Sequence, residues 1–420
     1  MKWKVFVLCI ILVLAVFAAG KFSTTTIGGV ATGYVPVFTV VGDVEKPLKV
    51  DTLEGFERIK EIVVVSGAAS PDNGMGIISP TENIGYMTAG RLYAGIRLNF
   101  PVFEGKSSVE NDGKTYGVSI YTQRRMVDLK TVIEEKHGNL LIMGRNGEYR
   151  RVKNDGYLEI GDNTIDYVCP DLKNRVADLA GIMVDPPVGS IMDAYYDTLH
   201  FLENDKNVML IILDGFGYHQ YLYAVEAGHA NFLASLPPAN MATSVYRPVT
   251  NAGLAAMYTG KPPEENGVNS RKQKDIKTPT VFNDALVMNK KCAMVEGDIK
   301  ILNTSLEPRL NVDKNSNGIT DDEILETALE YVNGDYNLLV VHFHGIDDSG
   351  HSYGDIHPST MEAVSRTDGY VKELVSRWKG KVVITADHGM HSTPEAGDHG
   401  SFCFEDLIVP YIITDGEGRK

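Results

Sequence analysis

Three short, largely apolar runs, each followed by acidic or histidine residues, constrain the fold of this chain most strongly. They are VMLIIL at 208–213, NLLVVHF at 337–343 and KVVIT at 381–385. Runs of this length without polar alternation are typical of parallel strands whose two faces are both covered. In such sheets, ligands bind beyond the carboxyl ends of the strands. We therefore predict that the polar residues after the three runs meet at one edge of a sheet.

Histidines cluster around the second and third of these runs. Of the 11 histidines in the chain, seven lie at 342–399, interleaved with aspartates. Imidazole and carboxylate groups are ligands for zinc and similar divalent ions. Asp347 and His351 are four residues apart, so one helical turn can direct both at one ion; the adjacent Asp387 and His388 can serve one ion jointly or one ion each. Strand-end caps and surface histidines would explain any one of these residues, but not the whole set.

The order of apolar and polar segments predicts the fold class. From residue 207 onward, strand-like runs alternate with helix-like segments, which predicts an α/β domain with a central, mainly parallel sheet between helices. Before residue 186, short runs between Gly, Asn and Asp turn signals predict a β-rich region. The expected parts are a leader at 1–20, a β-rich accessory domain at 21–185, a connector at 186–206 and the α/β domain at 207–420. Helices are expected at 128–137, 191–204 and 321–332.

The amino terminus and the overall charge limit the location and the partners. The first 20 residues combine two lysines with an apolar stretch from Val5 to Ala19, a pattern typical of a secretory signal or a short anchor. We therefore expect an extracytoplasmic protein that is secreted or meets the membrane only through this segment. The net charge of -15 and the pI near 5.2 argue against a nucleic-acid-binding surface.

Beyond the leader, Cys169, Cys292 and Cys403 form no recognisable disulfide framework.

A second ion-binding motif precedes the helix expected at 321–332. The stretch from Asp313 to Asp321 copies the first nine positions of a calcium-binding loop. The closing position is Ile324, with Glu323 one residue early. Thr320 and Glu323 also fit a capping box for the following helix. A structural turn with a helix cap is the preferred interpretation, and Ca²⁺ binding is the alternative.

The segment YRPVTNAGLAAMYTGKPPEENGV at 246–268 carries a family signature. It resembles the nucleophile segment of the alkaline phosphatase superfamily, in its nucleotide pyrophosphatase/phosphodiesterase branch, which runs P-x-x-T, then T-G, then P-E-x-H-G. The positions that match in register are Thr250, Thr259, Gly260, Pro263, Glu264 and Gly267. The metal motifs match as well, with D-G at 214–215, D-x-x-x-H at 347–351, D-H-G at 387–389 and H-G at 399–400. The resemblance covers about residues 207–416.

The resemblance implies a site for two zinc ions, with other divalent ions as an alternative, and a covalent mechanism. The implied ligands of one ion are Asp347, His351 and His399. The implied ligands of the other are Asp214, Thr250, Asp387 and His388. Thr250 is the implied nucleophile and would form a phosphothreonine intermediate. Thr243 and Ser244 are rival hydroxyls, but they lie before the strand end and are expected to be structural.

Departures from the family pattern leave the substrate open. The His of P-E-x-H-G is Asn266 here, and the asparagine expected to contact phosphate falls on Arg271, with Asn269 two residues earlier. We expect Asn269 and Arg271 to bind a small phosphorylated substrate, and phosphate monoesters to be slightly favoured because an added cation suits a dianion. The alternatives are a phosphodiesterase or nucleotide pyrophosphatase of the same fold, and an exported binding protein that keeps the fold without turnover.

Overall fold

The structure is a computed structural model that describes residues 74–88, 99–111, 114–161 and 164–418, together with strand segments between residues 26 and 50. The expected leader at 1–20 lies outside the described residues. No helix in the described part of the chain is long and apolar enough to cross a membrane. The described residues divide into two units, one with the strand segments between 26 and 50 and residues 87–88, 99–111, 114–134 and 155–175, and the other with residues 74–86, 135–154 and 176–418.

Among the described residues up to 190, strands account for nearly all regular structure, as predicted. In chain order they are β1 (Thr26–Ile27), β2 (Val30–Ala31), β3 (Phe38–Gly42), β4 (Leu48–Val50), β5 (Gly74–Ile78), β6 (Asn83–Thr88), β7 (Asn99–Asn111), β8 (Lys114–Asp128), β9 (Asn139–Gly144), β10 (Tyr149–Lys153), β11 (Tyr157–Ile160), β12 (Ile165–Val168), β13 (Arg175–Val176), β14 (Leu179–Val184) and β15 (Gly189–Ser190). The helix expected at 128–137 is wrong: only a 3-10 turn at Leu129–Thr131 forms, because β8 continues through Asp128.

The first unit is built around the long strand β8. Its main sheet has the order β13-β12-β11-β8-β3-β4, and β7 also pairs with β8. The pairs that β8 makes with β3, β7 and β11 are antiparallel. β1 and β2 form a separate antiparallel pair. None of the candidate site residues lies in this unit.

The second unit contains the predicted α/β region. Its further strands are β16 (Val208–Leu213), β17 (Asn240–Thr243), β18 (Cys292–Glu296), β19 (Arg309–Leu310), β20 (Leu338–Phe343), β21 (Lys381–Thr385), β22 (His391–Ser392), β23 (Gly397–Asp398) and β24 (Ile408–Asp415). Its helices are α1 (Asp193–Glu203), α2 (Tyr218–Ala227), α3 (Asn231–Ser235), α4 (Thr250–Thr259), α5 (Pro263–Asn266), α6 (Val281–Val287), α7 (Asp321–Val332), α8 (Gly345–Tyr353), α9 (Pro358–Arg377) and α10 (Phe404–Leu407). The helices expected at 191–204 and 321–332 are confirmed.

The central sheet has the order β15-β17-β24-β21-β16-β20-β18-β19. β16 pairs in parallel with both β20 and β21, and every residue of β16 and β20 is buried, as their unbroken apolar sequences predict. The predicted mainly parallel sheet is therefore confirmed. β24 is the exception, because it runs antiparallel to both of its neighbours, β21 and β17. Register brings the ends of the three central strands level, with Leu213 opposite Phe343 and Ile212 opposite Thr385.

A second sheet of the same unit has the order β10-β9-β14-β5-β6. Its side chains form a small core with Tyr246, Phe402, Leu407 and Ile408. The fit at Phe402 is close: a Cβ on Gly181 of β14 would lie 2.3 Å from the Phe402 ring. Residues 74–86 and 135–154, which lie within the accessory domain expected at 21–185, thus belong to the unit that holds the central sheet. The predicted boundaries differ from this division because these contacts link residues far apart in the chain.

The start of α7 differs from the predicted capping box. Thr320 is the N-cap residue, but its side chain makes no capping hydrogen bond. Glu323 instead accepts a hydrogen bond from the backbone N–H of Lys314 at 2.9 Å. The glutamate therefore reaches back to the preceding loop, where a backbone donor is available, and the predicted capping box is wrong.

Candidate metal centre

The candidate site lies where β16, β20 and β21 end. Asp214 directly follows β16, and its backbone N–H donates to the carbonyl of Phe343, the last residue of β20. Asp387 lies two residues beyond β21, and Asp347 lies in the first turn of α8, which follows β20. Because the three strands are adjacent and level, they bring these carboxylates to one edge of the sheet. The sequence prediction of such an edge is confirmed.

Asp214 is the buried centre of this group. Its Oδ2 lies 3.2 Å from His342 Nε2 and 3.3 Å from His344 Nδ1, and its Oδ1 lies 3.4 Å from His388 Nε2. Burial alone would raise the pKa of Asp214, but the imidazoles of His342 and His344 beside it hold that pKa well below its ordinary value. Asp214 is therefore the carboxylate that keeps its negative charge.

Asp347 and Asp387 show the opposite behaviour. Burial, followed by the negative charge of Asp214, raises the pKa of both carboxyl groups well above the usual range. Three buried carboxyl groups that converge in this way repel one another unless a cation lies between them. A divalent ion would reverse the effect and stabilise all three as carboxylates.

Unpaired oxygen atoms indicate where such an ion would bind. Oδ1 of Asp214, Oδ1 of Asp347 and Oδ2 of Asp387 are buried and accept no hydrogen bond. Buried polar atoms without a partner are costly and rare in proteins. The carboxylates thus retain free coordination positions at the strand edge, and the residues present fit a bound metal.

The histidines are oriented by backbone carbonyl groups. Nδ1 of His388 lies 2.9 Å from the carbonyl of Gly389, Nδ1 of His399 lies 2.8 Å from that of Pro248, and Nδ1 of His351 lies 3.2 Å from that of Gly397. Since a carbonyl only accepts, each Nδ1 carries the proton, and each Nε2 keeps its lone pair. Hydrogen bonds of this kind orient the imidazoles that bind metal ions in proteins.

The predicted ligands form two adjoining groups. Asp347, His351 and His399 bring one ligand atom each within 4.8 Å of one another, and so do Asp214, Asp387 and His388. These groups coincide with the two ligand sets that the family resemblance implies, apart from Thr250. A third such group consists of Asp214, His342 and His344.

Thr250 lies beside the second group. It is the first residue of α4, and its Oγ1 is 3.3 Å from Nε2 of His388. Close packing of α4 on the strand edge places it there: a Cβ on Gly253 would lie 2.6 Å from the backbone oxygen of Asp387. The backbone N–H groups of the first helical turn are free to bind an anion at this point. The site thus combines a hydroxyl, an anion-binding helix end and two candidate ion positions.

The two predicted substrate-binding residues behave differently. Nη2 of Arg271 lies 3.3 Å from Nε2 of His351 and also contacts Nε2 of His399. The structure therefore brings Arg271 to the Asp347 group. Asn269 instead donates its hydrogen bonds away from the proposed metal ligands. Its backbone N–H donates to Gln273 Oε1, and its side-chain amide donates to the carbonyl of Asn146.

Three residues at the site were given no role from the sequence. His342 and His344 contact Asp214, and burial lowers the pKa of His342 to about 4. Asn251, next to Thr250, is buried and donates to the carbonyls of Gln273 and Ile301, which holds the loop that carries Arg271. The histidines could have been found from the cluster in the sequence, whereas nothing in the sequence signals the contacts of Asn251.

A further polar group fixes the loop between His388 and His399. Nδ1 of His391 lies 2.7 Å from Oδ1 of Asp406, and Oδ2 of Asp406 accepts from the backbone of Ser401. Cys403 lies beside this pair, and burial raises the pKa of its thiol well above the usual value. Both carboxylate oxygens are occupied and the thiol is neutral, so this group holds the loop in place and is a poor ion site.

A mainly parallel sheet whose strand ends present adjoining Asp/His groups beside a helix-terminal hydroxyl defines a hydrolase of the alkaline phosphatase type. Residues 208–413 match the family model for type I phosphodiesterase/nucleotide pyrophosphatase. Over this region the predicted resemblance to the alkaline phosphatase superfamily is confirmed. Members of the family are phosphoric ester hydrolases, which confirms the predicted enzyme class at the level of the family.

Individual relatives match only parts of the chain. Human GPI ethanolamine phosphate transferase 3, catalytic subunit, is 35% identical over 83 residues, which are 19% of this chain and 7% of that protein. The 2,3-bisphosphoglycerate-independent phosphoglycerate mutase of Nostoc sp. is 34% identical over 102 residues, 23% of this chain and 19% of that protein. The matches therefore span less than a fifth of the length of these two curated relatives.

Among solved structures, murine ectonucleotide pyrophosphatase/phosphodiesterase 5 is 17% identical, with a TM-score of 0.38 over 45% of this chain and 59% of that chain. Because this TM-score is below 0.5, the family assignment depends on the sequence match to residues 208–413.

Proposed function

We propose that this chain is a metal-dependent phosphoric ester hydrolase that acts through a phosphothreonine intermediate on Thr250. The observation that carries the proposal is the position of Thr250 Oγ1 at the start of α4, 3.3 Å from His388 Nε2 and beside the carboxylates with unpaired oxygens. A hydroxyl is a weak nucleophile when free, so it needs an activating partner. The family match and the two Asp/His groups support a metal as that partner.

Two zinc ions are the proposed cofactors. Asp347, His351 and His399 would hold one ion, and Asp214, Asp387 and His388, with Thr250, the other. Bound there, the ions would supply the positive charge that activates the hydroxyl and stabilises the attacking and leaving oxygens. Nitrogen and oxygen ligands of this number suit zinc, although other divalent ions share them.

The residues of the chain position the reacting groups. In the proposed cycle, Thr250 Oγ1 forms a bond to phosphorus as the bond to the leaving alkoxide breaks. Water then attacks the phosphothreonine, which releases phosphate or a phosphate monoester and restores the hydroxyl. The first N–H groups of α4 can donate to the non-bridging oxygens throughout, and the helix dipole favours their negative charge.

The proposed substrate is a small phosphorylated molecule, with monoesters slightly favoured. Arg271 supports this preference, since its guanidinium lies at the Asp347 group and a dianion gains more from it than a monoanion does. The family name favours a diester or a nucleotide pyrophosphate as the second candidate. The matched relatives are named as an ethanolamine phosphate transferase and a phosphoglycerate mutase, so an alcohol is a second acceptor to compare with water.

The test uses zinc-loaded protein with p-nitrophenyl phosphate and bis-p-nitrophenyl phosphate, with and without glycerol. Acid quenching with a ³²P-labelled monoester should trap label on Thr250. Thr250→Ala should lose turnover by several powers of ten, while Thr250→Ser keeps a measurable part of it. Turnover of Thr250→Ala within about tenfold of wild type would exclude Thr250 as nucleophile, and no turnover by well-folded wild type would favour a binding protein.

We also propose an extracytoplasmic location, with any membrane contact made through residues 1–20. The proposal is supported by the lysine-apolar pattern of that segment. Cell fractionation followed by amino-terminal sequencing would test this proposal. Protein found only in the cytoplasm, with residues 1–20 intact, would contradict it.

A further inference from the structure

We propose that the loop at 313–323 is a calcium site, independent of the candidate metal centre. Its side-chain ligands would be Asp313, Asn315, Asn317, Asp322 and Glu323. The loop precedes α7, and the proposal goes beyond the proposed hydrolysis because it assigns a structural ion to a region that performs no catalytic step.

In the first part of the loop, polar side chains accept hydrogen bonds from backbone N–H groups of the same loop. Asp313 accepts hydrogen bonds from the backbone of Asn317 at 3.2 Å and of Gly318 at 2.9 Å. Asn315 Oδ1 accepts from the backbone of Asn317 at 2.9 Å. Side-chain oxygens thereby gather on the inside of the turn, as calcium loops require. These hydrogen bonds also occur in ordinary turns that bind no ion.

A buried, unpaired carboxylate oxygen of Glu323 indicates that an ion binds in the loop. The Glu323 side chain is only 4% exposed, and it reaches back from α7 so that Oε1 accepts from the backbone of Lys314. Oε2 is buried and accepts no hydrogen bond. A buried carboxylate oxygen without a partner is costly, and this one is directed at the loop. A cation in the loop would satisfy it.

The charges of the loop also lack a counterion. Asp322 Oδ1 is buried without a hydrogen-bond partner, while its Oδ2 accepts from Asn315 at 2.6 Å and Asn317 at 3.0 Å. Lys314 is the only basic residue at 313–323, and its Nζ lies 3.6 Å from Glu326, outside the loop. Three carboxylates therefore face the loop without a cation of their own.

The donor set selects the ion. All proposed ligands are oxygen atoms. Such a set suits hard cations such as Ca²⁺ better than zinc, which prefers sites with nitrogen or sulfur ligands. Five side chains that supply only oxygen ligands suit the high, variable coordination number of Ca²⁺ better than Mg²⁺, which keeps several waters in a strict octahedron. Asp321 is not available as a ligand, since its two oxygens accept from the backbone of His344 and Gly345.

The contact of Asp321 with His344 and Gly345 links the calcium loop to the candidate metal centre. Asp321 is the first residue of α7 and also holds the start of α8, the helix that carries Asp347 and His351. An ion that fixes the loop against α7 would therefore hold the anchor of the catalytic helix. The ion acts on position and stability, and the residues it binds touch no reacting atom.

The experiment titrates Ca²⁺ into zinc-loaded protein by calorimetry, so that the Asp/His groups are already saturated. Wild type should bind one Ca²⁺ per chain with a Kd on the order of 10⁻⁴ to 10⁻³ M. Glu323→Gln keeps the size and the Oε1 acceptor, and Asp313→Asn keeps the turn; each should weaken binding at least about tenfold. Glu326→Gln, which removes the same charge just outside the loop, should bind like wild type.

Ca²⁺ should also raise the thermal midpoint of wild type and Glu326→Gln, but not of Glu323→Gln. No binding heat with wild type, or equal affinity in all four proteins, would overturn the proposal. Loss in Asp313→Asn but not in Glu323→Gln would overturn it too, because Glu323 would then not be a ligand. None of these readouts requires catalytic turnover, so failure here is separate from failure of the proposed hydrolysis.

Discussion

Arg271 is the residue at which the substrate preference can be tested. Its guanidinium contacts His351 and His399, where the family resemblance leads us to expect a neutral asparagine. We predict that Arg271→Ala lowers kcat/KM for a phosphate monoester about ten- to thirtyfold more than for the matched diester. Lys272→Ala, which removes the neighbouring exposed cation, should affect both esters equally. Equal losses for both esters in Arg271→Ala would contradict the monoester assignment.

Glu296, the last residue of β18, should control how stability depends on pH. It is 2% exposed, and burial raises the pKa of its carboxyl from 4.5 to about 7. Because the folded pKa lies above the unfolded one, its contribution is fully favourable below about pH 4.5 and is lost as pH rises through 7. At 1.36 kcal/mol per pKa unit, the rise from 4.5 to about 7 limits the loss to about 3–4 kcal/mol.

Glu296→Gln should therefore unfold at a higher temperature than wild type at pH 8.5, and at nearly the same temperature at pH 5. Thermal unfolding of the zinc-loaded proteins at both pH values measures this, with Glu326→Gln as an exposed control. A difference between variant and wild type that does not change with pH would contradict the prediction.

The residues of the site could be anticipated because they follow directly from local sequence. Asp214, Asp387 and His388 come just after buried strands, and Asp347 and His351 occupy one helical turn. The roles of His342, Asn251 and Glu323 depend on which distant atoms they meet, and no local pattern encodes that. The capping box at Thr320 failed for the same reason, since Lys314 offered Glu323 a competing backbone donor.

At the level of elements, the strands with continuous apolar sequence were predictable, and their neighbours were not. β16, β20 and β21 each consist of a continuous, largely apolar run, which can be recognised in the local sequence alone. The antiparallel pairing of β24 with β17, and the packing of β9 and β14 on Phe402, depend on contacts between residues more than 150 positions apart in the chain. The predicted boundaries at 21–185 and 186–206 therefore separated strands that belong to one unit.

The packing of Phe402 gives a prediction for this second sheet. Gly181→Ala should lower the free energy of unfolding by about 1–3 kcal/mol, because the new methyl group would overlap the Phe402 ring. It should also lower turnover, since Phe402 anchors the loop that carries His399. Gly138→Ala adds a methyl group with nothing within 4 Å and should change stability by less than about 0.5 kcal/mol. Denaturant unfolding compares the two, and similar values would contradict the packing argument.

For the molecule as a whole, metal content is the decisive quantity. Zinc-grown protein should contain about two zinc ions per chain, by the two ligand groups. His351→Ala should lose about one ion, because two protein ligands hold zinc poorly, while His200→Ala at an exposed position should lose none. Elemental analysis after dialysis measures both variants. A folded, metal-free wild type would contradict the two-zinc proposal.

The place of β24 in the sheet has a consequence for biosynthesis. It lies between β17, which precedes Thr250, and β21, which precedes Asp387. A nascent chain that has reached residue 405 already carries every proposed ligand, yet the strand that joins the two halves of the sheet does not exist. At about 5–20 residues per second, the interval from residue 399 to residue 415 lasts roughly 1 to 3 seconds. During that time the translating ribosome holds a complete set of ligands and no enzyme.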